Sequence, residues 1–325
     1  MDTAIQMTGV TKTFGNMTAV ESLDLRVPRG GLYGFIGPNG AGKTTSIRMI
    51  MSILFPDSGE ISVLGHPSAL DAKDRIGYLP EERGVYKKMK VRAFLRYLAR
   101  LKGWHGTDLD QRISEWLERV GLRGTEFKRC DELSKGMSQK LQFVSAVIHK
   151  PDLLILDEPF SGLDPISMRM LRNLILEEHE RGATILFSTH VMPQAEEICE
   201  HIIMVHKGRK VLDDEISVIR SQFDPRAIQF EPLDPQADTT TLASLPDVVS
   251  VQGNDQGLEI MLREGTDPAT AMRGILDTVP AARIELFRPR LEDVFVQLVT
   301  DGTSDQDEEQ LRAELQDAEA KAATA

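Results

Sequence analysis

The chain has 325 residues, 41% of them apolar, and a formal net charge of −12. That length predicts two domains with a sizeable core, and the negative balance excludes a general nucleic-acid binder, which needs a basic surface to release counterions. Segment 301–325 holds eight acidic and two basic residues, half of the whole excess, so the body is only mildly acidic and leaves room for a local basic patch.

Cys130 and Cys199 fit no CxxC pattern, which points to a reducing compartment. The opening MDTAIQMTGV has no basic stretch followed by an apolar one, and no apolar run approaches the ~18–20 residues that cross a bilayer. The expectation is a soluble chain that serves a membrane only through a partner.

Segments 4–8 and 20–27 alternate apolar and polar residues, as half-buried strands do. Segment 31–36 (GLYGFI) is a more uniformly apolar strand and runs into GPNGAGKTT at 37–45. A helix is predicted over 44–54, stopping at the turn Pro56-Asp57-Ser58-Gly59. Short strands follow at 60–64 and 75–79. From about 87 to 150 the pattern becomes helical, at 91–102, 109–120 and 136–149. The apolar run 152–156 then has the character of a central parallel strand covered on both faces. Helix 166–181, strand 183–188, a helix near 193–200 and a strand at 202–206 complete an α/β core with a helical insert. The Pro-, Asp-, Gln- and Thr-rich stretch 222–240 is expected to be a linker or irregular edge. Two strand-like pieces, a helix at about 268–278 and a strand at 282–287 predict a small α+β domain. The tail after residue 300 carries too few apolar residues to bury, which predicts disorder with a fraying helix.

The run Gly37-x4-Gly42-Lys43-Thr44 matches the phosphate-binding loop, with a strand before it and a helix after it. Its glycines let backbone N–H groups turn inward around phosphates across Gly37, Pro38, Asn39, Gly40, Ala41 and Gly42. Lys43 adds a point charge, and Thr44, followed by Thr45, offers a hydroxyl to Mg²⁺. The helix presents its positive end to the same anion. Asp157 stands at the end of LLILD, where it can orient a Mg²⁺ shell, and Glu158 follows in position to polarise a water. Ser134 in LSKGM has the character of a helix N-cap. SGLD at 161–164 and STH at 188–190 complete the set.

Together these motifs resemble the nucleotide-binding subunits of ATP-binding cassette (ABC) transporters, over residues 1–220. The resemblance implies a P-loop NTPase-type ABC ATPase core: a mostly parallel sheet with an antiparallel β-subdomain and a helical insert. It implies that Glu158 is the catalytic carboxylate, His190 the switch histidine and Asp164 a dimer-facing acid, with Phe14 of KTFG stacking on adenine. Leu133-Ser134-Lys135-Gly136-Met137 stands where the family has LSGGQ, so Ser134, Lys135 and Gly136 would meet ATP held by a second subunit. The family usually has a glutamine after the strand ending YLP; here it is Glu81, whose carboxylate can still reach Mg²⁺.

YLPE, LSKGM and FRPRLEDVFVQLV at 287–299 together are similar to a narrower group, the ATPase subunits of ABC-2 type drug and sodium exporters, which end in a small C-terminal domain. This implies an ABC domain at 1–222, an accessory α+β domain at 223–300 and an acidic tail at 301–325. It implies an ATPase with Mg²⁺ as cofactor, peripheral on the cytoplasmic face of the cell membrane. The implied partners are an integral membrane permease and a second ABC ATPase subunit, identical or not, with no nucleic acid. The permease contact falls on the insert near 85–110, where the basic helix VRAFLRYLARLK faces either a partner, lipid headgroups or water. A non-transport ABC ATPase acting on a soluble machine, or as a regulator, is the other reading.

Overall fold

The structure, a computed structural model, describes residues 2–82, 84–223, 226–254, 257–287 and 289–300. Contacts divide them into two units, residues up to Ile216 together with those from Phe295, and Ser217–Val294.

In the larger unit β1 (Thr3–Phe14) and β2 (Met17–Pro28) form a long hairpin, followed by β3 (Leu32–Ile36), α1 (Lys43–Ile50), β4 (Ser58–Val63) and β5 (Ile76–Leu79). The insert carries α2 (Val91–Leu101), α3 (Leu109–Arg119) and α4 (Lys135–Val147). After it come β6 (Leu153–Asp157), α5 (Pro165–Glu180), β7 (Thr184–Thr189), α6 (Met192–Glu196), β8 (His201–His206) and β9 (Arg209–Glu215); α7 (Ile216–Gln222) starts at the boundary and from Ser217 belongs to the smaller unit. One sheet runs β2-β1-β4 and is antiparallel. The other runs β5-β6-β7-β3-β8-β9, parallel except for the β8–β9 pair.

Every residue of β6 and β7 is buried, as expected of parallel strands covered on both faces. Their carboxyl ends bring Asp157, Glu158, Thr189 and His190 to the sheet end where β3 delivers the phosphate loop, the edge at which open α/β sheets bind ligands.

Helix α1 stops at Ile50 rather than running to 54. Ser52 adopts a left-handed φ of 54°, and the N–H groups of Ile53 and Leu54 turn back to the Arg48 carbonyl, which closes the helix end. Strands β1 and β2 extend well beyond the alternating segments, because hairpin pairing carries the ladder through polar residues.

The smaller unit holds β10 (Ala227–Pro232), β11 (Val248–Asn254), β12 (Gly257–Leu262), α8 (Pro268–Thr278) and β13 (Ala281–Leu286). Its antiparallel order is β11-β12-β10-β13. Ile228, Phe230 and Ile260 pack with Ala271 and Ile275 of α8. The stretch 222–240 is thus not wholly linker: β10 lies inside the sheet, and its AIQF core is fully buried. Flanking prolines and polar residues hide that short run. Strand β9 and helix α9 (Leu291–Thr300) also escape the sequence pattern. The acidic tail from 301 lies outside the described residues.

Candidate functional site

The phosphate loop is shaped by two close backbone approaches. A Cβ on Gly37 would stand 2.2 Å from the Val205 carbonyl, and one on Gly42, where φ is 101°, would stand 2.5 Å from the Ala19 carbonyl. Only glycine fits between these strands. Gly208, after β8, links the parts: its N–H donates to the Ala41 carbonyl, and its carbonyl accepts from Glu21 of β2.

Lys43 is 6% exposed. Its ammonium donates to the Gly37 carbonyl at 2.6 Å and the Pro38 carbonyl at 3.1 Å, so it sits in the mouth of the loop. Burial pushes its pKa down, while Glu158, Asp157 and Glu81 oppose that shift. Thr44 begins the exposed side of α1, and its hydroxyl lies 3.5 Å from Glu81 Oε2. Beside it, Arg48 pairs with Glu82 at 3.2 Å. Arg83 lies outside the described residues.

Asp157 is fully buried, yet neither carboxylate oxygen has a hydrogen-bond partner among the described residues, nor does Ser188 Oγ beside it on β7. Burial pushes its carboxyl up to about 6, opposed by the nearby Ser188 and Thr44 hydroxyls and reinforced by Glu158 and Glu81. Buried acceptors without donors are costly. A hard cation removes that cost, and carboxylate, hydroxyl and phosphate oxygens suit Mg²⁺. The residues present therefore fit the ion, with Asp157, Thr44 and Glu81 as the donor set.

Glu158 is a non-glycine residue at a φ of 50°, a strained backbone of the kind that clusters at functional sites. Its Oε1 accepts from the His190 backbone N–H at 2.9 Å and lies 2.6 Å from His190 Nδ1. Thr189 Oγ1 stands 3.2 Å from Oε2. Gln139 of α4 donates to the Pro159 carbonyl at 3.0 Å, which ties the acid's backbone to the insert. Ser188 and Thr189 fall inside the STH motif without a role of their own, and Gln139 is absent from the motif reading. STH and the α4 register carry the only sequence signal for them.

Ser134 caps α4, its Oγ accepting from the Met137 N–H at 3.2 Å. The Lys135 side chain lies over Gly162, and Gly136 faces the Gly162 carbonyl, so the helix start and the SGLD loop form one surface. Asp164 caps α5, accepting from the Ser167 N–H at 2.9 Å and its hydroxyl at 2.7 Å. Those Ser167 bonds hold its carboxyl below the usual range. Among the described residues no hydrogen bond joins Ser134, Lys135, Gly136 or Asp164 to residues 37–45 of the same chain. Phe14, at the hairpin tip, is 46% exposed.

The family profile described as ABC transporter matches residues 20–161. The profile described as ATP-binding protein DrrA1-3-like, C-terminal domain, matches residues 215–299. The ABC transporter ATP-binding protein YhaQ of Bacillus subtilis (strain 168) is 40% identical over 290 residues, covering 89% of this chain and 96% of YhaQ. The Nod factor export ATP-binding protein I of Cupriavidus metallidurans is 33% identical over 305 residues, 92% of this chain and 98% of that protein. A solved ATP-binding subunit of an ABC transporter superposes with a TM-score of 0.63 at 31% identity, covering 68% of this chain and 93% of the other. The chain belongs to the ABC transporter ATP-binding proteins: it is an ATPase subunit with a P-loop core and a DrrA-like C-terminal domain.

Proposed function

We propose that this ATPase drives export through a separate membrane permease, working as one of two cassettes that close around two ATP molecules. The observation that carries the catalytic half is the Glu158 carboxylate, oriented by His190 and set beside the buried Asp157, which has no hydrogen-bond partner among the described residues. Export follows the Cupriavidus relative, a Nod factor export ATP-binding protein, which the chain covers almost end to end.

Lys43, the loop N–H groups from Asn39 to Thr45 and the positive end of α1 bind the β- and γ-phosphates. Bound there, Mg²⁺ neutralises charge on phosphate oxygens, with Asp157, Thr44 and Glu81 holding it. Glu158 takes the proton of the attacking water, and His190 keeps that carboxylate aimed. Phe14 stacks on adenine. Ser134, Lys135 and Gly136, at the N-terminal end of α4, meet the γ-phosphate held by the other cassette, and Asp164 faces the same seam. Among the described residues these four make no hydrogen bond to their own phosphate loop, which leaves them available to a partner in trans. Closure favoured by ATP and released by hydrolysis is a two-state element biased by its ligand.

The cassette occupies residues 1–222 and an accessory domain 223–300. No helix among the described residues is long and apolar enough to cross a membrane. In this reading the motion passes to the permease at the cytoplasmic face, through the insert near 85–110. Tyr86, Tyr97 and Leu101 are exposed there and offer an apolar contact. Affinity purification from solubilised membranes tests this reading. A co-purifying permease supports it, whereas ribosomes or other soluble machines with no membrane protein would overturn it.

A further inference from the structure

We propose that Asp57 is a positioning residue for the adenine of ATP, fixing the hairpin tip that presents Phe14. The inference rests on the reading that Phe14 stacks on the base.

Asp57 lies in the turn between α1 and β4, far along the chain from the hairpin, and grips three consecutive hairpin residues. Its backbone N–H donates to the Thr11 carbonyl at 2.8 Å. One carboxylate oxygen accepts from Lys12 Nζ at 2.7 Å, and the other accepts from the Thr13 N–H at 2.7 Å. The β1–β2 register shifts on both sides of Lys12, so the regular ladder lapses just before Phe14. Asp57, directly before β4 where that strand pairs with Thr11, holds the chain across this irregularity.

The grip reaches the ring itself. Lys12 Nζ, held by Asp57, stands over one face of Phe14 at 5.6 Å from the centroid. Its side chain is only 15% exposed, so that position is a packed one. Phe14 is nevertheless 46% exposed, which leaves ring surface for a base. Further down the same hairpin, the Ala19 carbonyl abuts Gly42 of the phosphate loop. An orientation set at Asp57 is therefore set relative to the loop that holds the phosphates. The side-chain entropy that Phe14 and Lys12 would otherwise lose on binding ATP is lost in advance, which is how preorganisation raises affinity.

The test compares binding of Mg-ATP with binding of Mg-tripolyphosphate, which has no base, to the full-length protein by calorimetry. The proteins are wild type, Asp57→Ala, Asp57→Asn, Phe14→Ala and the Asp57→Ala/Phe14→Ala double variant. Stacking of a base on an aromatic ring predicts a loss of about tenfold in ATP affinity for Phe14→Ala. Asp57→Ala should lose about fivefold, with KM raised and kcat unchanged, part of the same preorganised contact. Asp57→Asn, which keeps an acceptor for Thr13, should lose less. Tripolyphosphate should bind all five proteins alike, and Asp57→Ala should add nothing once Phe14 is gone. Equal weakening of ATP and tripolyphosphate by Asp57→Ala, or losses that multiply in the double variant, would overturn the proposal. If Phe14→Ala leaves ATP binding intact, the adenine reading of Phe14 fails and takes the proposal with it. If Phe14→Ala is base-selective and Asp57→Ala is silent, only the role of Asp57 fails.

Discussion

His190 holds Glu158 through two donors at once, its backbone N–H and its ring Nδ1, both on the same carboxylate oxygen at 2.9 and 2.6 Å. The backbone bond survives any side-chain change at 190, so the carboxylate keeps part of its orientation when the ring is removed. His190→Ala should lower kcat by about 100-fold, within the range of general acid–base contributions. KM for ATP should change less than twofold. Steady-state phosphate release checks this, and a raised KM with normal kcat would place His190 in binding instead.

Two buried groups give the nucleotide-free protein opposing pH dependences. Asp157 has its pKa raised to about 6 by burial. In the window between the ordinary carboxylate value and about 6 the folded state holds the proton more tightly than the unfolded one. Its contribution to stability is therefore lost as pH rises through that window. His149 is buried, and burial, with Lys102 adding to it, depresses its pKa to about 4. Between about 4 and the ordinary histidine value the unfolded state binds the proton, so this group's contribution grows as pH rises. The shifts have similar size, about 3 kcal/mol each at 1.36 kcal/mol per unit, and they largely cancel. Asp157→Asn should unmask a stability that climbs from about pH 4 to 6.5, and His149→Gln one that falls over nearly the same interval. Urea unfolding of apo protein across that range reads both slopes.

Glu81 replaces an amide with a charge beside Thr44. If its oxygen is what the metal needs, Glu81→Gln keeps a carbonyl donor and should retain most activity. Glu81→Ala should lower kcat by about tenfold, roughly one lost charge-assisted contact. Full ATPase activity in the alanine variant would remove Glu81 from the site.

Ser134 satisfies one of the open N–H groups of α4. Ser134→Ala should cost about 1 kcal/mol of stability, the usual value of an N-cap. If the same hydroxyl meets the other cassette's γ-phosphate, as proposed above, hydrolysis should fall much further than that loss explains. Thermal melts and ATPase rates on one preparation separate the two effects. Activity that tracks stability alone would reduce Ser134 to a cap.

Much of this site is legible in the chain because its chemistry demands fixed residue types at fixed spacing. Asp157 ends an apolar strand, Lys43, Thr44 and His190 come after one, and strand ends are readable from burial patterns. The residues that tune the site were hidden for a physical reason. Gln139 meets the Pro159 carbonyl through helix packing, and Asp57, just before β4, meets Lys12 on the neighbouring strand β1. Neither encounter leaves a periodic trace. Elements escaped where composition misled: β10 lies between prolines in a polar stretch, and β9 (RKVLDDE) has no fully buried residue to mark it.

The arrangement of two cassettes around shared ATP is tested most directly by mass. Glu158→Gln should bind Mg-ATP without cleaving it, and light scattering should then show the protein doubling in mass with ATP and returning to one chain with ADP. A protein that keeps the mass of a single cassette at saturating Mg-ATP, both free and when reconstituted with its permease, would contradict the account.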